Sequence, residues 1–259
     1  MIDSHVHLDS ESFKKLDGGL DGVMERAHNA GVLRMVAPAL HVESFHKLRQ
    51  LAERYPNIFP ACGVHPHEVT PARNRNLSER LEKELETAAF PIVGETGLEG
   101  HYDFTPMEIQ LESLRAHLQV ASAHNLPVIL HCRETEELLY NELKAAKLLR
   151  TGVVHCFTGS WEWAERFLEL GYYIGLTGIV TFKNSVQVQE VARNLPEDRL
   201  LVETDGPYLA PIPFRGKTNC PEYIPHIVTK VSELRETSPE RVARTTVENT
   251  ERLFGLPKR

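Results

Sequence analysis

Pro127-Val128-Ile129-Leu130-His131, a helically spaced window from Glu136 to Lys147, then Gly152-Val153-Val154-His155: the chain here writes an apolar run ending in histidine, a helix, and the same run again. Strand, crossover helix and strand joined by short loops form a right-handed parallel β-α-β unit. The pattern extends in both directions. Candidate strands begin near Met1, Arg34, Ile58, Pro91, Pro127, Gly152, Tyr172 and Leu200. Helical windows lie at Gly22 to Ala30, Val42 to Arg54, Leu77 to Ala88, Pro106 to His124, Glu136 to Lys147, Trp161 to Leu170 and Val186 to Asn194, with Glu222 to Arg235 and Pro239 to Phe254 after the last strand. Eight such units in 259 residues predict an α/β fold, a closed (β/α)8 TIM barrel forming a single domain over residues 1–259. An open doubly wound sheet is the alternative, but it has no Gly-rich phosphate loop here to recommend it.

Composition agrees: 41% hydrophobic and 25% charged residues suit a soluble globular chain and exclude a disordered tail or a collagen-like rod. No linker, low-complexity tract or repeat argues for a second domain. The sequence has no apolar run of about 18 residues and no signal-peptide pattern at Met1-Ile2-Asp3-Ser4-His5, so a cytoplasmic protein without membrane contact is expected. Cys62, Cys132, Cys156 and Cys220 are too scattered for a disulfide framework or a zinc-thiolate site and read as small buried hydrophobes. A net charge of −7 provides no global field toward a polyanion, so a nucleic-acid partner must be held by a local positive site.

Chemistry gathers where the apolar runs end. In Ile2-Asp3-Ser4-His5-Val6-His7 the two histidines are two apart, so on a strand both project to one side. Pro91-Ile92-Val93-Gly94 runs into Glu95, Leu130 into His131, Val154 into His155, and Leu201-Val202-Glu203-Thr204 into Asp205. A lone His or loop carboxylate most often has a structural role, as a hydrogen-bonded core residue or a helix cap. Repetition at equivalent positions outweighs that reading, because the C-terminal strand ends of a barrel converge on one mouth. Burying four imidazoles and two carboxylates together without an ion would also carry a heavy desolvation cost.

Four His and two carboxylates without Cys suit divalent Zn, Mn, Co or Mg. Six donors are too many for one open site. Shared between two ions, with Glu95 as the bridge because no lysine stands at that strand end, they leave open positions for a water and a substrate oxygen. Two divalent ions (+4) with Glu95 and Asp205 (−2) leave +2, which a hydroxide and one phosphodiester would neutralise. Lowering the pKa of a bound water from 15.7 to about 7 is worth roughly 12 kcal/mol, so no separate nucleophile is needed. No Ser-His-Asp arrangement or nucleophile elbow is seen.

Taken in order, His5-Val6-His7, Gly63-Val64-His65-Pro66-His67, Gly94-Glu95-Thr96-Gly97-Leu98, Leu130-His131-Cys132-Arg133-Glu134, His155-Cys156-Phe157-Thr158-Gly159-Ser160 and Glu203-Thr204-Asp205-Gly206-Pro207-Tyr208-Leu209-Ala210-Pro211 run through nearly the whole chain. Together they resemble the TatD-type metal-dependent deoxyribonucleases of the amidohydrolase-like barrels. The resemblance implies that His5 and His7 with Glu95 and Asp205 hold one metal, and Glu95, His131 and His155 the other. It implies that Asp205 also handles the proton of the attacking water. It gives His65 a contact to the substrate phosphate, and Arg215 and Lys217, in Arg215-Gly216-Lys217-Thr218-Asn219, the local positive charge. Glu203 is a third-metal candidate, with a carboxylate that supports the ligands as the preferred reading. Two positions depart from the family pattern: Glu99-Gly100-His101-Tyr102 follows Leu98 where the family has Asp and then aromatics, and Phe214 stands where a His is common.

The expected substrate is DNA entering as a single strand or strand end, cut from 3′ to 5′ as known in the family. Phe157, Trp161, Phe182, Tyr208 and Phe214 are candidates for base stacking, with packing expected for most. A metal-dependent deacylase of mischarged aminoacyl-tRNA, or a hydrolase of small esters or lactones, is the alternative, since the same hydroxide attacks carbonyls. A non-catalytic binder on a barrel scaffold is the third class, disfavoured by the complete donor set.

Overall fold

Eight parallel strands carry the chain around a ring in sequence order in the computed structural model, which describes residues 1–258. They are β1 (Ile2–Asp3), β2 (Arg34–Pro38), β3 (Ile58–Ala61), β4 (Val93–Glu99), β5 (Val128–Arg133), β6 (Gly152–Val154), β7 (Tyr173–Leu176) and β8 (Leu200–Val202). Continuous ladders join β1 to β3 and β4 to β8. Single bridges complete the ring at the two seams. Between β3 and β4, Cys62 N–H donates to the Ile92 carbonyl at 3.0 Å and Gly94 N–H to the Cys62 carbonyl at 2.8 Å. Between β8 and β1, Ser4 N–H donates to the Val202 carbonyl at 3.2 Å and Asp205 N–H to the His5 carbonyl at 2.9 Å. This is the (β/α)8 TIM-barrel fold predicted from the sequence.

Helices fill the connections, with Val42–Arg54, Val186–Asn194 and Pro239–Phe254 bounded as expected. The short helices Glu11–Lys14 and Pro71–Asn74 were not anticipated, because four residues are too few to show a helical period. The window opening at Glu222 begins as a 3-10 turn, Pro221–Tyr223, and becomes a helix over Ile224–Leu234. No helix among the described residues is long and apolar enough to cross a membrane.

Alternation along the strands sorts the core into two bodies. Met35, Ala37, Val128, Leu130, Val154, Ile174 and Leu200 belong to the larger one, which includes the helix faces. Their neighbours Val36, Phe59, Ile129, Val153, Tyr173 and Leu201 form a smaller cluster with Leu253, Phe254 and Leu256 at the chain's end. Two residues beyond Ile129, Val153 and Leu201 on the same face stand His131, His155 and Glu203. The apolar layer is thus the floor on which the polar layer rests. Cys62, Cys132 and Cys220 are buried, as expected of small hydrophobes; Cys156 is half-buried and lines the site cavity.

β4 breaks the alternation. Ile92 shares the inner cluster, yet Glu95, three residues on, also faces inward. The register against β5 shifts between Val93 and Thr96, a bulge that inserts one residue and turns Glu95 toward the barrel axis. Gly94 adopts φ +130° there, and a Cβ on it would lie 2.7 Å from the Ile129 carbonyl. Beyond the bulge the strand continues to Glu99. Glu95 and His131 therefore lie inside their strands, whereas the sequence placed them at the strand ends.

Candidate metal centre

His5, His7, His65, Glu95, His131, His155, Glu203 and Asp205 come together at the C-terminal mouth, and the residues beneath them explain how they are held. Asp3, fully buried on β1, accepts Thr204 N–H at 2.9 Å and Thr204 Oγ–H at 2.5 Å, and also His5 N–H at 3.3 Å. It pins the first strand to the last, fixing the backbones that carry His5 and Asp205. Burial outweighs these hydrogen bonds and pushes the Asp3 carboxyl up to about 7.

Glu95 is at the centre, fully buried. Its Oε2 lies 3.2 Å from His5 Nε2 and 3.7 Å from His7 Nε2; its Oε1 lies 2.6 Å from His155 Nε2, 3.2 Å from His131 Nδ1 and 3.5 Å from His65 Nε2. Asp205 Oδ1 lies 3.8 Å from His5 Nε2 and 3.5 Å from His7 Nε2, which are themselves 3.4 Å apart. A four-coordinate ion with bonds of about 2.1 Å has ligand-to-ligand edges of about 3.4 Å. The spacings of 3.2–3.8 Å that link His5 and His7 to each other, to Glu95 and to Asp205 bracket that figure. Glu95 Oε2 and His155 Nε2 are buried without a well-angled hydrogen bond, although His155 is close enough to Glu95 for an ion pair. The donor set fits divalent ions, and its atoms lie close enough to hold one in three groups, His5 with His7 and Asp205, His5 with Glu95 and His155, and His65 with Glu95 and His131; the set Glu95, His131 and His155 expected from the resemblance is not one of them, and His65 stands among the ligand atoms rather than apart from them.

Charge within the cluster is strongly coupled. Burial alone would raise the Glu95 carboxyl, but His155, His65, His5 and His131 together hold it well below the usual range. Burial likewise opposes ionisation of Asp205, and its hydrogen bond to His7, with His155 and His5 nearby, keeps its pKa low. His155 and His131 are raised despite burial by Glu95, assisted by Glu203 and Glu99 respectively, while burial lowers His5. His65 is pushed well below its ordinary value by burial. Its Nδ1 accepts His67 N–H at 3.1 Å, so the neutral ring carries its proton on Nε2 and presents a donor to the cavity.

Two carboxylates stand behind histidines, Glu99 within hydrogen-bond reach of His131 and Glu203 beside a His155 Nδ1 that has no hydrogen-bond partner. Glu203 Oε1 accepts Cys156 N–H at 2.6 Å, Oε2 accepts Ser4 Oγ–H at 2.9 Å, and Oε1 lies 3.6 Å from His155 Nδ1. Gly175 makes room for it, since a Cβ there would lie 2.5 Å from Glu203 Oε1. Glu99, missed in the sequence, is buried with Oε2 3.2 Å from His131 Nε2 and 3.1 Å from His67 Nε2. The signal was present: Glu95, Gly97 and Glu99 alternate along one strand, but the sequence reading ended that strand at Gly94.

The predicted basic loop lies farther out. Arg215 sits 4.5 Å from the Phe182 ring centre in a recess that shares Thr158, Ile179 and Gln187 with a cavity of about 720 Å³ beside the cluster. Lys217 lies 5.7 Å from the Phe214 ring centre and lines neither cavity that reaches the carboxylates. Of the five aromatics singled out, Phe157 is buried, Phe214 stacks on Tyr223, and Tyr208, 59% exposed, lines the site beside His7.

An eight-stranded parallel barrel with imidazoles and carboxylates converging at its C-terminal mouth defines a metal-dependent hydrolase. The TatD related DNase family model matches residues 2–255, and the chain belongs to that family. A Bacillus subtilis relative named uncharacterized metal-dependent hydrolase YabD is 36% identical, with 99% of each chain covered. A Pectobacterium atrosepticum relative named 3'-5' ssDNA/RNA exonuclease TatD is 34% identical, covering 99% of this chain and all of its own. The crystal structure of the TatD homologue YjjV from Escherichia coli superposes with a TM-score of 0.91 at 36% identity, covering 99% of this chain and 98% of the other.

Proposed function

We propose that this protein is a two-metal phosphodiesterase that removes nucleotides from single-stranded DNA ends in the 3′ to 5′ direction. The observation that carries the reading is the division of the Glu95 carboxylate, one oxygen toward His5 and His7 and the other toward His131 and His155. In this reading His5, His7, Glu95 and Asp205 hold one divalent ion, and Glu95, His131 and His155 the other. When bound, the pair supplies Lewis-acid polarisation of the phosphodiester and acidifies a water. The rest falls to the chain. Asp205, held ionised and lining both cavities at the mouth, accepts the proton of the attacking water. His65 donates Nε2–H to a non-bridging phosphate oxygen. Glu203, with both oxygens already engaged, positions His155 rather than holding a third ion. In this reading Arg215, in its recess beyond Thr158, meets more distant phosphates of the strand, and Lys217 adds charge farther out.

Family membership and the printed name of the Pectobacterium relative support the choice of nucleic acid over esters or lactones. A single-stranded oligonucleotide labelled at both termini, incubated with Mg or Mn, tests the proposal. Mononucleotides released progressively from the 3′ end are expected. Internal fragments appearing first would overturn the exonuclease reading, and cleavage of an aminoacyl-tRNA or lactone with no action on DNA would replace it with carbonyl chemistry.

A further inference from the structure

The loop after β4 turns two aromatic rings outward at the rim of the site. Tyr102 and Phe104 are 42% and 65% exposed, stacked with centroids 5.2 Å apart and planes 10° from parallel. Arg133, at the end of β5, places its guanidinium carbon 4.9 Å from the Tyr102 ring centre. His67 meets both rings edge-on, at 5.6 and 4.9 Å, and its Nε2 reaches Glu99. Tyr102 and Arg133 line a cavity of about 420 Å³ together with His65, Glu95 and Asp205. The carboxylates near Arg133 are already paired, Glu99 with His67 and His131, Glu134 with His101. The Arg133 guanidinium lines the cleft and forms no ion pair among the described residues.

A stacked, solvent-facing aromatic pair beside a guanidinium offers a π surface and an anion contact side by side. An unpaired nucleobase with its phosphate matches both; a saturated acyl chain matches neither. We propose that Phe104, Tyr102 and Arg133 form the subsite for the nucleotide adjoining the scissile phosphodiester, its base packed against the aromatic pair and its outer phosphate on Arg133. This rests on the phosphodiesterase reading above.

The test is a cycle. Wild type, Phe104→Ala and Tyr102→Leu are measured with a single-stranded oligonucleotide and with the same strand made abasic at its last two nucleotides, by KM for cleavage with Mg or Mn present. In wild type the abasic strand is expected to bind about tenfold more weakly. In each variant the gap between the two strands should narrow, because one ring of the pair that meets the base is gone. A variant that weakens both strands equally, keeping the tenfold gap, overturns the subsite, as does a wild type indifferent to the missing bases. Folded wild type that neither binds nor cuts either strand would overturn the phosphodiesterase reading itself and the subsite with it.

Discussion

β4 and β8 bring the same equipment to the mouth from opposite seams of the barrel. Each contributes one carboxylate to the cluster, Glu95 and Asp205, and one that stands behind a histidine, Glu99 3.2 Å from His131 Nε2 and Glu203 3.6 Å from His155 Nδ1. They differ in wiring. β8 delivers its pair two residues apart just past a regular strand, whereas β4 needs a bulge to turn Glu95 inward and continues as strand to Glu99. Inner carboxylates are therefore expected to govern ion loading and chemistry, and outer ones the tautomer and aim of an imidazole.

Breaking the bridge should have the largest effect. On the two-metal proposal, Glu95→Gln is expected to lower turnover at least about a thousandfold and to reduce the bound ions from two to one or none, read by elemental analysis. Retention of both ions at full activity would dissolve the distinction between inner and outer carboxylates. Asp205→Asn should cost about 10²–10⁴-fold in kcat with a smaller effect on KM, the pattern of a lost proton acceptor. The outer pair sharpens the comparison: Glu99→Gln is expected to weaken ion binding about 10- to 100-fold in chelator competition, with the fold unchanged by circular dichroism.

A buried histidine in the wall provides a pH measurement. His117 accepts Val64 N–H at 3.0 Å on Nε2 and donates from Nδ1 to the Ser113 carbonyl, holding the loop that carries His65. Burial lowers its pKa to about 4 from 6.5, so the folded state keeps it neutral while the unfolded chain takes up a proton. The stabilisation is complete above 6.5 and is lost as pH falls through 4. About 2 kcal/mol of this contribution should be gone at pH 5, so urea titrations at pH 7 and pH 5 should show a loss of stability larger by about that amount in wild type than in His117→Gln. The smallest effect is assigned to the β8 loop: Lys217→Ala should change KM for an oligonucleotide by less than about threefold, because its charge sits on Phe214 away from the cluster.

The strand order and the convergence of His5, His7, Glu95, His131, His155 and Asp205 were legible in the sequence because each rests on a local rule: side chains alternate along a strand, and strand ends of a parallel barrel share one mouth. Tertiary structure alone decided how Glu95 divides its oxygens, which nitrogen of His131 faces inward, and which basic and aromatic groups stand in the cleft. Glu99, Tyr102 and Arg133 gain their meaning from neighbours contributed by other strands and loops, and a bulge of one residue reverses inside and outside with no large change in composition. Distances between residues far apart in the chain are set by packing, which a linear pattern does not contain.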